Sequence, residues 1–328
     1  VTYVGDVAMD RRIANMDDGS YLGTLKAYAQ LEQRTASRIW LPGHGEPGAG
    51  VLQWNRELFE GIYRPCEQAV KNGLPLEEAK SLVLRDPRVA SRARETKGFD
   101  MNIGKYVSLA YLEAEAASRD ASKRATLLRR CALPAPKTFD GYDWTAVSWP
   151  EGFGRDDLLS LSFMRGREDL VLMGDVGTGK THMASALCVM CCEEKVEARF
   201  FTASSLVMRL RRANDDGRLD RELAQIGRAE LLVVDELGFL PLDAEGARLL
   251  FQVVSQAYET QSVVFTTNLE FSRWGSVFGD DQMAAAVIDR VVHHGRLLRF
   301  KGESYRVRHA LIDRKSTRLN SSHSRASR

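Results

Sequence analysis

Eight consecutive residues, Gly174-Asp175-Val176-Gly177-Thr178-Gly179-Lys180-Thr181, follow the spacing GxxxxGK[ST]. Glycines so placed let successive backbone N–H groups converge on a phosphate, because they adopt dihedral angles that a side chain would forbid. Lys180 would then reach the β- and γ-phosphates, and the Thr181 hydroxyl would hold Mg²⁺. An acidic partner for that ion stands 55 residues beyond Lys180, where the apolar run Leu231-Leu232-Val233-Val234 ends in Asp235 and Glu236. Asp235 would bind Mg²⁺ directly or through water. Glu236, one residue on, would polarise the attacking water as a general base. Asn268 follows Thr266 and Thr267 at the tip of another apolar run. Its amide either contacts the γ-phosphate and the water or merely shapes a turn. The chemistry implied is hydrolysis of a nucleoside triphosphate, with ATP and Mg²⁺ as the ligands.

These groups need a scaffold that brings them to one edge. Residues 169–173 form a short apolar run suited to a buried parallel strand, and an Ala-, Leu- and Met-rich helical stretch follows the glycine loop. Further strands are expected at 198–201, 231–234 and 262–267, alternating with helices at 203–213, 220–228 and 244–258. Such alternation specifies an α/β fold, a three-layer αβα P-loop core on a parallel sheet, with ligands at the carboxyl ends of the strands.

Other residues leave alternatives open. Arg290 lies in a helical stretch at 283–294. It either pairs with Asp289, worth little on a surface, or reaches a neighbouring subunit's ATP, a contact worth ~10³–10⁵ in rate in other hydrolases. His293 and His294 lack further ligands at metal spacing and suit a helix end. Cys188 and Cys191 have CxxC spacing, but no second pair follows; small buried thiols in a packed helix fit better. Arg209, Arg211, Arg212, Arg218, Arg221 and Arg228 either solvate helix faces or meet DNA phosphates. Phosphate contact would be sequence-tolerant and would weaken steeply with salt.

From about 112 to 312 the chain resembles the IstB-like helper ATPases of bacterial insertion sequences, AAA+ proteins related to DnaC-type helicase loaders. The matching residues include 133–144, 174–184, 233–247, 250–255, 266–274, 288–294 and 302–306. The stretch 241–247, together with His293-His294 and 302–306, favours the transposition helper over the loader. The resemblance implies an ATPase that assembles as a homo-oligomer on duplex DNA and delivers it to an IstA-like transposase. It makes Arg290 the finger acting in trans.

The first 110 residues differ. Asp6 ends the strand-like stretch 3–6, and His44 sits in Pro42-Gly43-His44-Gly45. Together they resemble the C-terminal half of a metallo-β-lactamase-fold hydrolase, in which these two positions are metal ligands. That likeness makes them vestigial Zn ligands, because His44 is the only histidine before residue 180 and a catalytic zinc takes three protein ligands. The expected organisation is therefore an incomplete hydrolase-like part at 1–110, a helical remnant at 111–150, the AAA+ ATPase domain at 151–312 and a tail at 313–328. The first junction is expected between about 97 and 119. Two incomplete parts joined without a linker imply a chimeric product.

Composition sets outer limits. The 328 residues are 44% hydrophobic and 27% charged, which suits a globular protein with a sizeable core. Net charge is +2, but residues 313–328 carry five basic side chains against one acidic, leaving 41 basic and 43 acidic elsewhere. Overall charge is thus no argument for nucleic acid. The tail resembles an in-frame translation of a sequencing-library adapter. Five cysteines, an odd number, and the lack of a long apolar run point to the cytoplasm, with no membrane partner.

Overall fold

The computed structural model describes residues 1–17, 19–302 and 304. The expectations for 313–328, and for Glu303, Tyr305 and Arg306 within 302–306, fall outside the described residues. The chain divides into two compact units, 1–122 and 123 onward, with the division inside one helix.

In the first unit, β1 (Thr2–Gly5) pairs in parallel with β2 (Trp40–Pro42). Between them runs α1 (Tyr21–Arg34); α2 (Val51–Lys71), α3 (Leu76–Arg85), α4 (Pro87–Ala93) and the start of α5 (Phe99–Cys131) follow. Helix α1 starts where Ser20 caps it, accepting from Gly23 N–H, and Glu113 of α5 accepts from Tyr21 N–H and Leu22 N–H. A carboxylate there offsets the unpaired amides of a first turn. Helix α2 buries Leu52, Leu58, Phe59 and Ile62 against Tyr21 and Tyr28. The segment from about 97 to 119 is helical from Phe99 onward, within α5.

The second unit takes in the end of α5, then β3 (Val147–Ser148), α6 (Arg155–Leu159), α7 (Ser162–Arg165) and β4 (Asp169–Gly174). It continues with α8 (Lys180–Glu193), β5 (Ala198–Thr202), α9 (Ala203–Asp215), α10 (Leu219–Ile226) and β6 (Leu231–Leu237). The last elements are α11 (Ala244–Ala257), β7 (Ser262–Thr267), α12 (Gly275–Phe278), α13 (Asp281–His293) and β8 (Gly295–Phe300). The strands form one sheet in the order β3-β8-β4-β7-β6-β5, parallel except for the β3–β8 edge pair. Strand β8 is absent from the periodicity signal: its Arg296 and Arg299 interrupt the apolar run of a covered strand.

The two-residue side-chain period of the strands feeds two cores. Val171, Met173, Leu232, Val234, Val263 and Phe265 face α9, α11 and α13. Leu170, Leu172, Leu231, Val233, Val264 and Leu298 face α8 and the end of α5. Helices cover both faces, so the strands read as continuous apolar runs, and the fold is a three-layer α/β sandwich with a mostly parallel sheet. No described helix is long and apolar enough to cross a membrane.

Candidate nucleotide-binding site

Strand β4 delivers the chain into the glycine loop at the carboxyl edge of the sheet. Gly174, Gly177 and Gly179 have φ of +153°, +85° and +99°. A Cβ on Gly174 would stand 2.3 Å from the Phe300 carbonyl oxygen, so both the angle and the neighbouring strand require glycine there. Asp175, Val176 and Thr178 complete the loop, and the Thr178 hydroxyl closes it by donating to the Asp175 carbonyl at 2.8 Å. Gly179 is the N-cap of α8, so the first turn of that helix points its unpaired amides into the loop. Tyr142 braces the turn from outside, donating to the Gly179 carbonyl at 3.2 Å. Lys180 is buried, and its Nζ donates to the carbonyls of Gly174 (2.7 Å) and Asp175 (2.6 Å).

The acidic partner comes from β6, two strands away in the sheet. Thr181 Oγ1 donates to Asp235 Oδ1 at 3.0 Å, and Thr266 Oγ1 of β7 donates to the same oxygen. Asp235 is 3% exposed, whereas Glu236 is exposed and has a left-handed φ of +62°. The Glu236 N–H donates to Thr266 Oγ1 at 2.9 Å. A hydroxyl and a carboxylate this close, with an ammonium five to six residues along from two loop carbonyls, form a hard-oxygen and cation set that suits Mg²⁺ and a polyphosphate.

Asn268 is exposed immediately after β7, beyond Thr266. Arg290 lies on α13, where its guanidinium stacks over Phe251 of α11 at 4.9 Å and donates to the Ala286 carbonyl at 2.8 Å. Among the described residues no ion pair joins it to Asp289. The structure thus brings together Lys180, Thr181 and Asp235. It places Asn268 one residue past the neighbouring strand and Arg290 on a covering helix. Sequence spacing misses Thr266 and Tyr142. Only the closeness of Thr266 to Asn268 hinted at the former, and an aromatic residue 37 positions before the glycine it braces leaves no periodic mark.

Four of the arginines considered for phosphate contact, Arg209, Arg212, Arg218 and Arg221, line a groove of about 690 Å³ between α9 and α10. Arg209 pairs with Glu222, Arg218 with Asp216, and Arg211 with Asp243 and Glu245. Arg212 and Arg221 have no ion pair among the described residues. All five cysteines are buried and unpaired by disulfides, and burial raises the Cys66 thiol to about 12. His293 and His294 close α13, with His293 Nδ1 3.0 Å from the Tyr258 hydroxyl.

In the first unit, β1 and β2 end side by side, so Asp6 Oδ1 and His44 Nε2 lie 3.9 Å apart. Gly43 makes this approach feasible, since a Cβ there would overlap Asp6. Both side chains are largely exposed, 73% and 58%. Among the described residues no group of three or more His, Cys, Asp or Glu is arranged to hold a metal.

The model of the IstB-like ATP binding protein family matches residues 78–312, beginning upstream of 112. The chain is 38% identical over 197 residues to a Geobacillus stearothermophilus protein named for ATP binding in insertion sequence IS5376, covering 60% of this chain and 78% of that one. It is 34% identical over 212 residues to a Pseudomonas aeruginosa protein named likewise for insertion sequence IS21, covering 64% and 78%. A crystal structure of the DnaC helicase loader aligns with a TM-score of 0.39 at 22% identity, over 50% of this chain and 96% of that chain.

Proposed function

The chain belongs to the IstB-like ATP-binding protein family, and from that premise we propose that it binds and hydrolyses ATP as a DNA-associated helper of insertion-sequence transposition. The observation that carries this reading is the meeting of Thr181 and Asp235 at 3.0 Å beside the buried Lys180. Three residues from two separate strand ends converge where a triphosphate needs them.

In this reading the amides of 174–179 and the start of α8 bind the phosphate oxygens, and Lys180 exchanges its loop carbonyls for the β- and γ-phosphates. Thr181 and Asp235 would hold Mg²⁺, which when bound neutralises charge on the phosphate oxygens. Glu236, open to solvent, takes the proton of the attacking water. Asn268 orients that water from the next strand tip. Arg290 leaves Phe251 to serve the ATP of a second copy of the chain, which makes the oligomer the working form.

For DNA, Arg212 and Arg221 supply charge that no carboxylate takes up among the described residues. Contacts of that kind neutralise phosphates without reading bases. The proposed partner is an IstA-like transposase, a reading supported by relatives whose names tie them to insertion sequences. Those names favour the transposition helper over the helicase loader.

Upstream of residue 78, the parallel pair β1–β2 and the neighbouring Asp6 and His44 support the likeness to the rear of a metallo-β-lactamase fold. Two ligands fall short of a catalytic zinc, so no hydrolase activity is assigned to that part.

The test is ATP turnover by the purified chain and its Lys180→Ala variant. Loss of at least ~10³-fold, with weakened nucleotide binding, is expected when an ammonium that stabilises the transferred phosphoryl group is removed. Equal turnover in the two proteins would remove this pocket from the reaction.

A further inference from the structure

The ladder between β6 and β7 runs regularly from Leu231↔Ser262 to Val234↔Phe265 and then resumes at Leu237↔Thr267. Strand β6 thus advances three residues where β7 advances two. The extra residue is a bulge, and it falls on the two carboxylates, Asp235 and Glu236. Bulges of this kind re-aim side chains and recur beside functional sites. Here it ends the strict two-residue alternation, which would have sent neighbouring side chains to opposite faces of the sheet.

What holds the bulge is a side chain. Had the register continued, Asp235 would stand beside Thr266, and the ladder would carry the Glu236 amide. Instead the Glu236 N–H donates to Thr266 Oγ1 at 2.9 Å, and the Thr266 O–H donates to Asp235 Oδ1. A hydroxyl offers one proton and two lone pairs, so this one serves both carboxylate residues at once. Thr266 is 2% exposed and Asp235 3%, so no water replaces either bond at low cost. Glu236 meanwhile keeps a φ of +62°, an angle uncommon outside glycine that persists only where surrounding contacts enforce it.

We infer that Thr266 is a positioning residue for ATP hydrolysis: its buried hydroxyl sets the backbone of Glu236 and the carboxylate of Asp235 in one geometry. The inference rests on the proposed ATPase reading and adds a part to it. Its bonds run to Asp235 and to the Glu236 amide, so it acts through these two neighbours. Because Asn268 lies two residues further along β7's exit, a shift at that strand tip would also reach Glu236 through the same hydroxyl. The strand that carries the amide and the strand that carries the acids are thereby coupled by one side chain.

The experiment compares Thr266→Val, which keeps the shape and loses the hydroxyl, with Thr266→Ser, which keeps the hydroxyl. Thr266→Val should lower kcat by at least ~10-fold while KM for ATP and the affinity for a fluorescent ATP analogue stay within about twofold. Thr266→Ser should stay within about threefold of wild type in kcat. Amide hydrogen exchange at Glu236 supplies a readout independent of turnover: protection should fall in Thr266→Val and persist in Thr266→Ser. Wild-type kcat and protection in Thr266→Val would overturn the inference, as would equal loss in both variants. Should Thr266→Val not fold, Thr266→Ala takes its place under the same criteria. A wild-type chain without ATP turnover would count against the ATPase reading, and the exchange comparison would then still decide whether Thr266 holds Glu236.

Discussion

Both units of the chain end two parallel strands side by side and set polar side chains at the tips, yet they treat those side chains differently. In the first unit the sheet has two strands, and Asp6 and His44 approach to 3.9 Å with 73% and 58% of their side chains open to solvent. In the second, six strands covered on both faces bury Lys180, Asp235 and Thr266 to 6%, 3% and 2% exposure, with Asp235 Oδ1 accepting from Thr181 and Thr266 and the Glu236 N–H donating to Thr266 Oγ1. The backbone turn is well built in both cases. Gly43 lets β2 close on Asp6 as Gly174 lets the loop close on β8. Proximity therefore comes from strand pairing, but fixed geometry at the tip comes from the layers around it. A low-dielectric, hydrogen-bonded setting makes charges act strongly and keeps them from reorganising.

The comparison is open to direct attack, and the largest expected effect lies in the second unit. Glu236→Gln should keep ATP binding and slow hydrolysis by at least ~10²-fold, because the amide cannot accept the water's proton. Wild-type rates in that variant would show that the bulge positions something other than a base.

A smaller effect concerns Asp169, a buried carboxylate of the same sheet that accepts the Val263 N–H at 2.8 Å. Burial raises it from its ordinary range to about 7 against that single stabilising bond. A raised folded-state value means the native chain holds a proton that the unfolded chain releases. Its stabilising contribution is therefore complete below about pH 4 and disappears as pH rises through about 7. Asp169→Asn keeps an acceptor for Val263 and removes the charge. Unfolding in urea should show the variant more stable than wild type by roughly 1–3 kcal/mol at pH 8, with the gap narrowing as pH falls below about 7 and closing only near pH 4. A gap independent of pH would mean that Asp169 is ionised throughout.

The smallest effect is expected in the first unit. Replacing Asp6 and His44 together by alanine should change ATP turnover by less than about twofold, since both side chains are largely exposed. Elemental analysis should find no stoichiometric zinc with or without the substitutions. One zinc per wild-type chain, lost in the double variant, would give the first unit a site after all and erase the contrast.

Much of the second unit is legible in the chain. The runs Leu231–Val234 and Val263–Phe265 read as covered strands because helices on both faces demand apolar residues at successive positions. The glycine loop is legible because its dihedral angles admit few other residues. Strand β8 escapes because its Arg296 pairs with Glu168 and its Arg299 with Glu270, partners 128 and 29 residues away that make charge tolerable in a strand. The arginines of α9 and α10 cannot be sorted by spacing, since whether Arg209 faces Glu222 while Arg212 has no ion pair among the described residues depends on how two helices meet. The junction expected between about 97 and 119 has no mark of its own in the secondary structure, because α5 runs through most of that stretch.

The order of the residues was sufficient to fix which groups could handle a phosphate, because a loop with glycines at 174, 177 and 179 that ends in Lys180 and Thr181 is local chemistry, bound to one stretch of backbone. That Asp235 meets Thr181, that β6 gains a residue at its carboxylates, and that a threonine 31 positions from Asp235 satisfies both sides of that bulge are decisions of the folded sheet. Hydrogen bonds between strands depend on register, and register is settled by the packing of both faces together rather than by any one segment.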